Sequence, residues 1–337
     1  MPQASELAAQ VLAGDVRTAS RLISGLERED EQAAAAVAAL FPATGSARAI
    51  GITGPPGVGK STLIKQFIDA YLERGLRVGV LAIDPSSQQT GGALLGDRLR
   101  MVSDTVQRDT VQRDVFIRSM AVRDQQGGIA LGTAQAMRVL DAMGCDRLIV
   151  ETVGVGQSEI AVAGMVDCTV LVSHPGAGDE IQAMKSGIME IGDIYVINKA
   201  DQPGADHLRR QLTSAVRMLA AKDPLRQVLM VSARRGDGMV ELVTAVESRL
   251  DRLETSGILG RQRLHNLQQE VVQLIVSRSV ASTLAGLGPD PVSTYLTDLE
   301  QRRLDPSAVA SLVLDKQSED HSPAQPAAAG RGTEGAA

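Results

Sequence analysis

Aromatic side chains are scarce in this chain of 337 residues, which contains three Phe, three Tyr and no Trp. Proteins that bind single-stranded nucleic acid stack bases on aromatic rings, and this chain offers few of them. Basic residues are not in excess either, since 34 Lys and Arg stand against 40 Asp and Glu, for a net charge of −6. Because nucleic-acid-binding domains are normally basic, both features argue against a nucleic-acid partner.

Cysteine is rare as well, with only Cys145 and Cys168 in the whole chain. Two isolated cysteines give neither a disulfide framework nor a zinc-binding Cys-x-x-Cys pair, which favours a reducing compartment. The first residues lack the basic and then apolar stretches of a secretion signal. No apolar run is long enough to cross a bilayer. We therefore expect a cytoplasmic protein with no membrane partner.

Short apolar runs alternate with helical stretches from residue 49 onward, which indicates an α/β fold with a mostly parallel, doubly wound sheet. Six runs fit strands buried on both faces, and residues 115–117 fit a seventh. The six are residues 49–53, 78–83, 148–150, 169–172, 194–197 and 228–231. The same pattern divides the chain into an N-terminal helical extension (1–47), an α/β domain (48–252), a C-terminal helical arm (253–315) and a disordered tail (316–337).

A complete GxxxxGK[ST] motif follows the first predicted strand and opens a helix, which is the context of a P-loop NTPase. Its glycines let backbone N–H groups face phosphate oxygens at a helix N-terminus. We expect Lys60 to bind the β- and γ-phosphates and Ser61 to ligate Mg²⁺. The residues predicted to bind nucleotide in this loop are Gly54, Gly57, Val58, Gly59, Lys60, Ser61 and Thr62.

An NKxD motif, formed by Asn198, Lys199 and Asp201, follows the run 194–197. Ligands of parallel sheets bind at this carboxyl edge of the strands. The Asp201 carboxylate can accept hydrogen bonds from guanine N1–H and from the exocyclic amine, a donor pair that adenine lacks. Ser232 and Ala233 follow the next predicted strand, and we expect the Ala233 N–H to bind guanine O6. The sequence therefore predicts GTP and GDP as ligands.

Acidic residues near the ends of other predicted strands are candidates for Mg²⁺ binding. Glu151 ends the run 148–150, and Gly154 is expected to offer its N–H to the γ-phosphate. Asp84 ends the run 78–83, and Asp97 lies in a glycine-rich segment suited to a switch. Strand termination for Asp84 and helix capping for Asp97 are the alternatives. We assign catalysis to Lys60, Asp97, Glu151 and Gly154, and the metal to Ser61, Asp84, Asp97 and Glu151.

The residue after Gly154 is Val155, whereas Ras-like GTPases carry there the Gln that positions the attacking water. We therefore expect slow intrinsic hydrolysis that a partner or a dimer accelerates. Which residue positions the water stays open, as does the role of the five-residue repeat at residues 105–109 and 110–114.

These motifs together resemble the MeaB/ArgK family in the metallochaperone-like group of P-loop GTPases, whose third motif begins with Glu, as at Glu151. The similarity covers residues 49–239 and includes the stretches 91–98 and 175–182. The resemblance implies a chaperone that gates adenosylcobalamin loading and protects or reactivates a cobalamin-dependent acyl-CoA mutase. It also implies a homodimer formed through the C-terminal arm, and an additional switch at residues 175–185. Which mutase is the partner stays open.

Two other functions remain open at this point. A metal-delivery GTPase of the same group usually carries a Cys or His cluster near the nucleotide, whereas the four histidines here are scattered. They are His174, His207, His265 and His321. A small-molecule kinase is compatible with the phosphate loop, although glycine-rich switch segments suit a timer better than a phosphoryl donor.

Overall fold

The computed structural model describes residues 2–28, 30–85, 114–122, 128–152, 160, 162–176, 188–220, 223, 225–286 and 293–320. Contacts between residues divide the chain into two compact units, Met1–Gln269 and Glu270–Ala337. This division falls inside one long helix, and the boundaries proposed from the sequence at 47, 252 and 315 stay predictions.

A seven-stranded sheet, parallel at every pairing, forms the centre of the first unit. The strands are β1 (Arg48–Thr53), β2 (Val78–Pro85), β3 (Val115–Val122), β4 (Arg147–Thr152), β5 (Cys168–Ser173), β6 (Ile194–Ile197) and β7 (Gln227–Met230). Their order is β3-β2-β4-β1-β5-β6-β7. The predicted doubly wound α/β fold is therefore confirmed, and the run 115–117 is the beginning of β3.

The direction of winding reverses at β1. From β1 the chain builds β2, β3 and β4 on one side, and then β5, β6 and β7 on the other. In open parallel sheets the crevice outside the strand ends at such a reversal is where ligands bind. The carboxyl ends of β1 and β5 are therefore the place where this fold positions a site.

The described part of the chain contains eleven α-helices, three of which come before the first strand. They are α1 (Pro2–Leu12), α2 (Val16–Glu27), α3 (Glu31–Leu40), α4 (Lys60–Leu72), α5 (Gly128–Ala142), α6 (Ile188–Ile191), α7 (Ala205–Ala220), α8 (Met239–Thr255), α9 (Ile258–Gly286), α10 (Ser293–Glu300) and α11 (Pro306–Asp320). The Asp15 carboxylate caps α2 by accepting a hydrogen bond from the Thr18 N–H. No helix in the described part of the chain has both the length and the apolar character to cross a bilayer.

The core has layers on both faces of the sheet, which explains why the strands are continuous apolar runs. Ile50 and Ile52 of β1 pack with α4 and α8, whereas Ala49 of the same strand packs with the cluster formed by α1, α2, α3 and α5. Side chains alternate between the two faces along a strand, and here both faces are covered.

The second unit contains the rest of α9 together with α10 and α11. Five apolar side chains in this part of α9 are more than half exposed, namely Val271, Val272, Ile275, Val276 and Val280. Helix α11 ends at Asp320, inside the segment 316–337 that we predicted as a tail, and residues 321–337 lie outside the described part of the chain.

Candidate nucleotide-binding site

The loop between β1 and α4 depends on glycine at defined positions. Gly54, Gly57 and Gly59 have φ values of 144°, 76° and 96°, which side chains rarely allow. A Cβ atom on Gly54 would lie 2.1 Å from the carbonyl oxygen of Val172 on β5, and one on Gly59 would lie 2.5 Å from Nδ2 of Asn198. The loop therefore passes very close to β5 and to the NKxD motif.

Lys60, the first residue of α4, is buried within this loop. Its Nζ atom donates hydrogen bonds to the carbonyl oxygens of Gly54 at 2.8 Å and Pro55 at 3.1 Å. Only 7% of the residue is exposed, so these two carbonyl oxygens stabilise a largely buried cation within the loop. Val58 is buried as well, and Thr62 lies on the exposed side of the first turn of α4.

The NKxD motif contacts the phosphate loop directly. The Asn198 side chain donates from Nδ2 to the Val58 carbonyl at 2.8 Å and accepts at Oδ1 from the Ala233 N–H at 3.0 Å. Lys199 donates from Nζ to the Gly57 carbonyl at 2.8 Å. The three segments that the sequence proposed for phosphates and base thus form one connected structure.

The Asp201 carboxylate lies beside Ser232, whose hydroxyl donates to Oδ1 at 2.8 Å. This hydrogen bond is the main reason why the pKa of Asp201 is below its usual value. The group is therefore ionised at neutral pH and accepts hydrogen bonds only. Arg235, which sequence reasoning missed, places Nη2 3.5 Å from Oδ2. The signal was the basic pair that directly follows Ser232 and Ala233.

Two side chains with oxygen atoms that suit Mg²⁺ lie in contact where α4 begins and β4 ends. The Ser61 hydroxyl donates to Oε1 of Glu151 at 3.2 Å, and Glu151 is buried. One hydroxyl and one carboxylate fit the oxygen ligands that Mg²⁺ takes beside substrate phosphates. Asp84 lies at the end of β2, but its side chain is outside the described residues, as are Asp97, Gly154 and the stretch 91–98 as a whole. Of the stretch 175–185, only residues 175 and 176 are described.

A parallel sheet with a phosphate loop at its winding reversal, and an NKxD motif bound to that loop, defines a P-loop GTPase. The chain belongs to the family described as methylmalonyl Co-A mutase-associated GTPase MeaB, whose model matches residues 19–286. The resemblance seen in the sequence is thereby confirmed.

Three known proteins illustrate the relationship. A putative GTPase of Pyrococcus abyssi is 40% identical over 316 residues, which cover 92% of this chain and 95% of that protein. The mouse protein named methylmalonic aciduria type A homolog, mitochondrial, is 39% identical over 219 residues, 64% of this chain and 52% of that protein. A crystal structure of LAO/AO transport system kinase aligns with a TM-score of 0.66 at 26% identity, covering 94% of this chain and 98% of that one.

Proposed function

We propose that this GTPase is a chaperone that uses GTP to gate adenosylcobalamin loading into an acyl-CoA mutase and to protect or reactivate that enzyme. The observation that carries the GTP-dependent part is the direct contact of Asn198 with both the phosphate loop and Ala233. The mutase part is supported by the family description and by the name of the mouse relative.

Five of the described site residues have a direct role in the proposed reaction. Lys60 exchanges its two carbonyl partners for phosphate oxygens, which keeps a buried cation paired. Asp201 accepts the two guanine donors. The Ala233 N–H, which donates to Asn198 Oδ1 in this structure, is proposed to be shared with guanine O6. Ser61 and Glu151 hold Mg²⁺, Glu151 through water, and the ion neutralises charge on the phosphates.

Hydrolysis by the isolated protein is proposed to be slow. Val155 stands where other GTPases carry the Gln that positions water, so acceleration by the mutase or by a second copy is expected. Catalytic roles for Asp97 and Gly154, and metal roles for Asp84 and Asp97, are part of the same proposal and lie outside the described residues.

The nucleotide part is tested by measuring phosphate release from GTP and from ATP. We expect turnover of GTP only, with no turnover by Lys60→Ala. Lys65→Ala, which removes the same charge further along α4, is the control and should keep the activity. A wild-type protein that is equally active with ATP would contradict the role of Asp201.

The mutase part is tested with purified candidate enzymes, namely methylmalonyl-, isobutyryl- and 2-hydroxyisobutyryl-CoA mutases. We expect one of them to be captured by this protein and to take up adenosylcobalamin at a rate that depends on GTP. Lys60→Ala should remove the dependence on GTP. If none of the three binds or changes its cofactor uptake, the chaperone role is wrong, although the GTPase activity is unaffected.

A homodimer is proposed from the exposed apolar side chains of α9. A water-facing helix normally carries polar residues there, and exposed apolar patches mark protein interfaces. Light scattering during size-exclusion chromatography should give twice the chain mass. The double variant Val272→Asp/Val276→Asp should give the monomer, whereas Gln273→Asp on the same helix should remain dimeric. A monomeric wild type would contradict the proposal.

A further inference from the structure

We infer that a hydrogen bond between Thr53 and Thr152 is a positioning contact that sets the phosphate loop relative to Glu151. The Thr152 hydroxyl donates to the Thr53 hydroxyl oxygen at 2.8 Å. The inference rests on the proposed function, because it takes Glu151 to be part of the metal site. It assigns a role to two residues that carry none in the motifs.

The place of this contact in the sheet is specific. Backbone pairing of β1 with β4 runs from Arg48 with Arg147 to Ile52 with Glu151. Thr53 and Thr152 come one residue later on each strand, where β1 turns into the phosphate loop. The hydroxyl contact therefore extends the connection between the two strands one step beyond their paired backbones.

Both hydroxyl groups are buried, so each of them needs a hydrogen-bond partner. Thr53 is 3% exposed and Thr152 is 1% exposed. Val has nearly the same shape and suits a buried strand, whereas a buried hydroxyl is costly unless it is hydrogen-bonded. Two threonines facing each other at neighbouring strand ends satisfy this requirement mutually.

The contact lies between the two parts of the proposed site. Thr53 directly precedes Gly54, whose Cα approaches the Val172 carbonyl so closely that no Cβ fits. Thr152 directly follows Glu151, whose Oε1 accepts the Ser61 hydroxyl at 3.2 Å. The pairing of Thr152 with Ile83 still holds the end of β4 to β2. Without the hydroxyl contact, this end loses its connection to β1 next to the loop, which lets Glu151 shift relative to Ser61.

The experiment measures GDP affinity by calorimetry, with Mg²⁺ and with a chelator, together with the melting temperature. We expect Thr152→Val to weaken GDP binding about tenfold in Mg²⁺. This is the lower end of the loss in affinity or activity seen when residues that orient metal ligands are changed. In chelator this variant should bind like the wild type. Thr152→Ser keeps the hydroxyl and should bind GDP in Mg²⁺ as tightly as the wild type does. Thr133→Val on α5 is the control, because it also removes a fully buried hydroxyl, one without a hydrogen-bond partner among the described residues.

The double variant Thr53→Val/Thr152→Val separates positioning from stability. Removing both hydroxyls leaves neither unpaired, so the melting temperature should recover towards that of the wild type. The weaker GDP binding measured in Mg²⁺ should persist in the double variant, because the hydrogen bond between the two strands is still missing. The inference is overturned if Mg²⁺ increases the GDP affinity of Thr152→Val as much as it does for the wild type, or if the double variant regains that increase. A wild-type protein whose GDP affinity ignores Mg²⁺ would contradict the proposed metal site itself, and this inference with it.

Discussion

Asn198→Ala is expected to destabilise the protein even when no nucleotide is bound. The side chain is 3% exposed and joins the Val58 carbonyl to the Ala233 N–H. Alanine removes both partners at once. Ala233 is itself 1% exposed, so its N–H is shielded from bulk water, and only water that enters the space left by the amide could replace part of the lost bond.

The magnitude follows from these two contacts. A buried polar group that loses its partner costs about 1–3 kcal/mol, which gives about 2–4 kcal/mol for the two groups if water partly enters the space left by the amide. In a domain of this size each kcal/mol lowers the melting temperature by about 2–4 °C. We therefore expect a decrease of roughly 4–16 °C, which multiplies the low ends and the high ends of these two ranges.

The assay is thermal unfolding of protein freed of nucleotide, followed by circular dichroism. Asn266→Ala, on α9 and outside both nucleotide loops, removes the same amide and should melt near the wild type. Saturating GDP should raise the melting temperature of the wild type more than that of Asn198→Ala. If nucleotide-free Asn198→Ala melts with the wild type, the two loops are not held together by this side chain, and the reasoning is refuted.

Three further predictions concern titratable groups. Asp201→Asn should weaken GDP binding about a hundredfold, because two hydrogen bonds to a charged group contribute roughly 3 kcal/mol together; calorimetry measures this. Ser232→Ala removes the contact that lowers the pKa of Asp201, so on acidification GDP affinity should begin to fall at a higher pH than in the wild type. Burial raises the pKa of Cys145 to about 12 and also raises the pKa of Cys168 well above its usual value, so a thiol reagent should modify neither before unfolding and both afterwards.

Apolar patterning was sufficient to predict the sheet, because strands covered on both faces are uninterrupted apolar runs. The strand order is not contained in such runs. It depends on how the crossovers wind, and here that winding puts β4 between β2 and β1. Glu151 and Ser61, which the motifs assigned to the same metal ion, come together because of this insertion, and their direct hydrogen bond could not be derived from the sequence.

Side-chain contacts between residues far apart in the sequence could not be predicted for the same reason. Nothing in the residues around Thr53 or Thr152 points to a partner 99 positions away. Arg263 is a similar case, since it bonds both carboxylate oxygens of Asp167 and the carbonyls of Gly45 and Ala47. These bonds tie the beginning of α9 to the entry of β1, whereas the sequence indicated only a helix.

The phosphate loop has an order of its own that follows from peptide geometry. In a trans peptide the carbonyl points away from the N–H of the next residue. Lys60 binds the carbonyls of Gly54 and Pro55, and the nitrogens that follow them belong to Pro55 and Pro56, which carry no hydrogen. The lysine therefore occupies the part of the loop that has no donors to offer a phosphate.

The backbone N–H donors of the loop lie in its second part, which the side chains of the NKxD motif contact. Lys199 binds the Gly57 carbonyl and Asn198 binds the Val58 carbonyl. Because each carbonyl fixes its own peptide plane, these two side chains also fix the directions of the N–H groups of Val58 and Gly59. The two NKxD side chains thus orient the N–H groups that we propose to bind phosphate, in a structure without a ligand. If the proposed site is correct, guanine recognition and phosphate binding depend on one hydrogen-bonded assembly, and we expect a change at Asn198 or Lys199 to affect both.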